Sequence, residues 1–148
     1  MKLVIALITF IISLATAYAS PCEGAAGAFH VNKGGELGGF VAYTAFVGKN
    51  AYIGKDAQVC DQARVYDYAQ ITGFALIHEN AQIYNEARVY GQAIIAGSAQ
   101  VYGTAAVWEN AKVFGSAHVY GFAGLRGNVQ VYGVARMFDA TYSSGRYF

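Results

Sequence analysis

From residue 41 to residue 142 the chain repeats one pattern of apolar and polar positions every six residues, through seventeen units with no insertion. The first position of each unit is aliphatic, from Val41 through Ile53, Ile83 and Val101 to Met137, and the fifth is Ala in fifteen of the seventeen, Val129 and Thr141 being the exceptions. Within a stretch such as Ala99-Gln100-Val101-Tyr102 the residues alternate, so Ala99 and Val101 point one way and Gln100 and Tyr102 the other. Each unit is therefore predicted to supply one short strand, from position five through position two of the next unit. Position three is Gly, Asn or Asp in twelve units, among them Asp67, Asn85, Gly91 and Gly103. These residues tolerate positive φ and suit tight corners. The pattern predicts an all-β solenoid wound from flat faces, with room only for Ala beside each aliphatic residue in a narrow interior.

In the units VYDYAQ, IYNEAR, IAGSAQ and VYGTAA the spacing of aliphatic and small residues resembles the hexapeptide-repeat, left-handed β-helix superfamily. The resemblance covers about two thirds of the chain. It implies a single-stranded parallel β-helix of about six triangular coils, with three units in each coil and a left-handed turn. This sequence departs from the family's pattern in one respect: an aromatic residue commonly follows the aliphatic one, and the Gly moves one place on.

The coil implied by the resemblance places every eighteenth residue in one column and gives three faces. The first face carries two outward rows: Arg64, Gln82, Gln100, His118 and Arg136, beside Tyr66, Tyr84, Tyr102, Tyr120 and Phe138. Coils about 4.8 Å apart would let these rings form a continuous ladder. Rings bordered by Gln, Arg and His suit sugar rings, whose apolar faces stack while their hydroxyls form hydrogen bonds. The competing reading is that the ladder only stiffens the solenoid, since like-on-like stacking needs no ligand. On the third face Leu76, Ile94, Ala96, Phe114 and Tyr132 are predicted to point outward. Members of the family are commonly trimers that bury one face, which implies a trimer or other homo-oligomer joined through Leu76, Ile94, Phe114 and Tyr132. A covering by one of the chain's own terminal segments is the equal alternative.

Composition narrows the partners. Lys and Arg total ten against nine acids, and removing Lys2 with a leader leaves nine against nine. A neutral surface argues against nucleic acid or an anionic membrane as the main partner. Residues 1–19 have one Lys, a long apolar run and an Ala17-Tyr18-Ala19 ending, which reads as a secretory signal peptide cleaved after Ala19. With the leader removed no stable membrane span remains, and the expected location is secreted or periplasmic. Residues 20–40 fall outside the repeat phase and form a Gly-rich lead-in or N-terminal cap; residues 143–148 form a C-terminal tail. Cys22 and Cys60, the only cysteines, can pair after export and tie the lead-in to an early coil, with two free thiols as the alternative.

Catalytic chemistry has little support. Many hexapeptide enzymes are acyltransferases with a catalytic His, often beside a loop that breaks the coil register, and no such loop exists here. His30, His78 and His118 fall in the lead-in, the third face and the first face, so they do not meet in one subunit. The His pair of the zinc carbonic anhydrases that share this fold is absent, so no metal or other cofactor is expected. Asp61 and Glu79 stack at one corner, too few oxygens for calcium. His78 is the weak candidate for a lone general base. The sequence thus points to a secreted, non-catalytic β-solenoid, structural or surface-binding, with a glycan or another protein as partner; an acyltransferase-like enzyme is the alternative.

The inward assignment makes a direct prediction. Ala99→Leu should overpack the core and lower stability by about 1–3 kcal/mol, whereas Gln100→Leu should leave it nearly unchanged in denaturant melts. Equal effects at the two positions would refute the assignment.

Overall fold

The computed structural model describes residues 21–148; the predicted leader, residues 1–19, lies outside them. The chain is an all-β solenoid of about six coils that visits three sheets in strict rotation, one of eight strands and two of six. The repeat strands pair in parallel, in register with the coil before: Gln82 with Gln100 on the first face, Arg88 with Ala106 on the second, Leu76 with Ile94 on the third. Ala99, Val101 and the corresponding residues of the neighbouring coils are fully buried, while Gln100 and Tyr102 face outward. Most repeat strands hold only two ladder-paired residues, such as Gln100–Val101, rather than the four expected. Positions five and two bend toward the corners, yet their backbone still bonds between coils, as where the Tyr66 N–H donates to the Ile83 carbonyl at 2.9 Å.

The corners explain which residues position three accepts. From Asp61 to Asp139 every residue there has a positive φ, between 45 and 73°. That conformation costs an ordinary L-residue roughly 1–2 kcal/mol. Gly91 and Gly103 avoid the cost. Asp61, Asp67, Glu79, Asn85 and Glu109 offset it: each side chain accepts the backbone N–H of the residue eighteen positions on. The carboxylates make this a charge-assisted bond. Glu79 and Glu109, which the preference for Gly, Asn and Asp did not anticipate, are accommodated in this way. The stacked pair Asp61 and Glu79 serves the same ladder, since the Glu79 N–H donates to Asp61 at 2.9 Å.

Both ends of the solenoid are closed. Residues 20–40, left open between a lead-in and a cap, supply the N-terminal closure within the described part. Gly27–Val31 pairs antiparallel with Leu37–Ala42, which in turn pairs in parallel with Gln58–Val59. Gly39 is required there, because a Cβ would run into the Ala57 carbonyl. A turn at Pro21–Gly24 is fastened to the third face by a Cys22–Cys60 disulfide, with Cα atoms 5.4 Å apart, and by the Cys22 N–H donating to Gln58 Oε1 at 2.9 Å. A closed loop with the sequence separation of 38 removes about 4 kcal/mol of unfolded-chain entropy. Asn32, the one buried polar residue among those described, closes the second face: its Nδ2–H donates to the Ile53 carbonyl and its Oδ1 accepts the Ile53 N–H, both at 2.9 Å. One side-chain amide thus takes the place of a missing strand.

At the other end the six-residue phase slips. Thr141 pairs with Gly124 and Tyr142 with Leu125, so Tyr142, not Thr141, takes the inward slot. The segment 143–148 continues the winding, and Tyr147 pairs with Val131. The Tyr142 and Tyr147 rings meet edge-to-face at 5.2 Å and pack against the last core residues. Beyond the last regular coil, two large rings cover an interior that aliphatic side chains would leave open.

Asn32→Ala should leave both backbone groups of Ile53 unsatisfied and lower stability by about 1–3 kcal/mol. The exposed neighbour change Lys33→Ala should stay within about 0.5 kcal/mol. Urea melts that fail to separate the two variants would refute the edge-capping role.

Candidate functional site

The first face carries the aromatic ladder. Tyr84 and Tyr102 stack with centroids 4.9 Å apart and planes 2° apart; Tyr102 and Tyr120 follow at 5.3 Å and 8°, and Tyr120 and Phe138 at 5.7 Å and 16°. Tyr66 is tilted by 53° against Tyr84. Phe46 joins the ladder from the neighbouring column, its ring 5.9 Å from Tyr66, because Gly48 leaves its own column without a ring in that coil. In the stacked rungs the ring faces are turned on one another. The bordering amides are also engaged: the Tyr66 hydroxyl donates to Gln82 Oε1 at 3.2 Å and the Tyr84 hydroxyl to Gln100 Oε1 at 3.0 Å. His118 meets the Tyr102 ring edge-on at 6.1 Å, while Arg64 and Arg136 stand exposed in the same row. Partial burial, then the neighbouring Tyr102 and Tyr66, raise the Tyr84 phenol above its ordinary value.

The third face is less open than the sequence suggests. Leu76, Ile94, Phe114 and Tyr132 are half-buried, and Ala96 is buried, its methyl lying low between the larger His78 and Phe114 of its column. The N-terminal turn reaches the Leu76 end, where Cys22, Glu23, Leu76 and His78 line a recess of about 520 Å³. At the far end the Phe148 ring packs edge-on against Tyr132 at 4.3 Å. The Pro21–Gly24 turn and Phe148 therefore touch opposite ends of this face, with Ile94 and Phe114 between them. The three His stay apart: burial lowers His30 on the hairpin below its ordinary pKa, His118 lies on the first face, and His78 Nδ1 lies 3.8 Å from Asp61 Oδ2 in the recess. That carboxylate already accepts the Glu79 N–H. Among the described residues no three His, Cys, Asp or Glu side chains converge as metal ligands would.

The second face holds a feature that the hexad pattern did not single out. Its outward position-six column runs Tyr52, Gln70, Arg88 and then narrows to Ala106 and Gly124. Along one side Tyr90 and Trp108 stack at 5.7 Å, with planes 7° apart. Along the other, the corner residues Glu86, Thr104 and Phe122 rise to form a wall. Together they enclose a groove of about 460 Å³. The indole lies across Gly124: a Cβ there would stand 3.1 Å from Trp108 Cη2. No ring follows Trp108 in its column, where Arg126 stands instead. Phe122 is 79% exposed, the most exposed large apolar side chain among the described residues. Among the described residues neither Glu86 nor Arg88 enters an ion pair.

No protein-family model, curated protein or solved structure matches the chain. The site therefore has to be read from its own residues. The signals that could have found the groove were in the sequence: an apolar Phe122 at position four, where most units are polar, and two successive small residues at position six on one face.

The raised Tyr84 phenol fixes the sign of a pH effect. Burial favours the neutral form, so the folded pKa lies above 10.0 and the unfolded chain releases that proton first. The stability linked to Tyr84 is complete below pH 10.0 and is lost as pH rises through the folded value. Tyr84→Phe should make the alkaline fall in stability shallower, read from denaturant melts across that range. An identical slope in the variant would refute the coupling.

Proposed function

We propose that the chain is an exported, non-catalytic β-solenoid of the hexapeptide-repeat, left-handed type, which acts at a surface by presenting fixed columns of side chains to a glycan or to another protein. The regular spacing of outward groups supports the reading: rings on the first face recur at 4.9, 5.3 and 5.7 Å in one straight column. A rigid array of that kind matches an extended partner without having to order itself on binding. The ladder contributes the stiffness, since its ring faces and much of its polar rim are engaged internally. Ile94 and Phe114, between the two covered ends of the third face, are the proposed contact for self-association, in a trimer or another homo-oligomer.

The test is a panel of glycans and surface proteins offered to the mature protein, with its mass followed by light scattering. The expected outcome is retention of at least one partner. In parallel the triple variant Tyr84→Ala, Tyr102→Ala, Tyr120→Ala should melt earlier than the wild type, as a stiffening ladder requires. A wild-type protein that retains nothing across the panel would overturn the surface-binding reading.

A further inference from the structure

We propose that the second-face groove is the binding site, and that its ligand is a neutral hexopyranose unit of a glycan; this rests on the surface-binding reading above. Three observations lead there. First, the groove has a flat apolar wall. Trp108 is half-buried, stacked on Tyr90 with its six-membered ring reaching over Gly124, and Phe122 on the opposite side presents an exposed ring. The C–H face of a pyranose packs on a ring presented in this way. Second, two polar side chains beside that wall, Glu86 and Arg88, are unspent, while the Thr104 hydroxyl donates to the Gly121 carbonyl at 3.0 Å. Glu86 accepts hydroxyl hydrogens, Arg88 donates, and neither enters an ion pair among the described residues. The first-face ladder is the contrast: its Gln82 and Gln100 oxygens are held by tyrosine hydroxyls. Third, one acid and one base line the groove, so a neutral polyhydroxylated ligand matches it better than a uronate or a sulfated sugar. The volume of about 460 Å³ falls within the range of roughly 300–1,000 Å³ usual for small-ligand sites.

The floor makes the ligand accessible and also supplies the test. Ala106 stands where Gln58, Gln82, Gln100 and Gln130 stand in other units, so Ala106→Gln restores a residue the fold already carries at that position while filling the groove. The mature protein is screened against neutral oligosaccharides of glucose, galactose, mannose and N-acetylglucosamine, with acidic glycans and surface proteins alongside. The expected result is retention of a neutral oligosaccharide by the wild type. Trp108→Ala and Ala106→Gln should each weaken it by about tenfold or more, the scale of one lost aromatic stack, and Ala106→Gln should keep the wild-type melting temperature. If the wild type binds a neutral glycan and both variants bind it equally well, the groove assignment is wrong while the surface-binding reading stands. Retention of acidic glycans or proteins alone overturns the proposed ligand. Retention of nothing overturns both.

Discussion

From Phe40 to Phe138 each coil of this protein is held to the next by parallel backbone pairing between residues eighteen positions apart, and that register constrains everything else. A parallel ladder tolerates no gradual drift, because a one-residue slip would turn every inward side chain outward. Corners must therefore stay of fixed length, and so must the residues that can form them. The alanines follow from the same rule. Three sheets close on an interior that accepts one aliphatic row and one small row per face, so Ala99 and Val101 are buried side by side while Gln100 stays outside.

The ends are where this rule stops supplying partners, and they are built differently from the middle. At the N-terminal end an antiparallel strand and the Asn32 amide satisfy groups that another coil would otherwise meet, and a disulfide fastens the segment before them to the third face. At the C-terminal end the phase slips by one residue before Tyr142 and by one more before Tyr147, so that both rings enter the aliphatic slots. Terminal repeats of a solenoid cannot share the interior's sequence, because they face solvent on one side. Open sheet edges would otherwise pair with other chains.

The outward surface divides by whether its groups are already used. On the first face the rings stack on one another and the amides bond to hydroxyls, so the columns stabilise the coil. Along the corners Asp67 and Asn85 spend their oxygens on the backbone N–H groups of the next coil. The second-face groove is different: Glu86, Arg88 and Trp108 surround a floor reduced to Ala106 and Gly124, and their binding capacity is turned to solvent. Polar groups engaged within the fold add stability, whereas groups left open beside an aromatic wall are what a ligand can use.

The eighteen-residue coil of the family that the sequence resembles was needed to line up the rings from Tyr66 to Phe138; the six-residue period by itself determined the all-β class, the solenoid, and the buried Ala and aliphatic rows. Those features depend only on strand alternation and a constant repeat, which are local and periodic. The same alternation placed Gln100 outside and Ala99 inside without knowledge of any partner. Tertiary structure decided the rest. Asn32 became an edge cap only because the hairpin brings it beside Ile53, twenty-one residues on in sequence. Glu79 and Glu109 became corner residues because an N–H one coil away offsets their backbone cost. Tyr142 entered the core through a slip that the pattern does not encode, and Phe46 joined the ladder diagonally from another column. The groove arose where small residues of two coils met the rings and corner side chains of their neighbours. Each of these depends on which residues lie side by side across coils, and a one-dimensional period carries no record of how side chains from different columns fill or vacate the space between them.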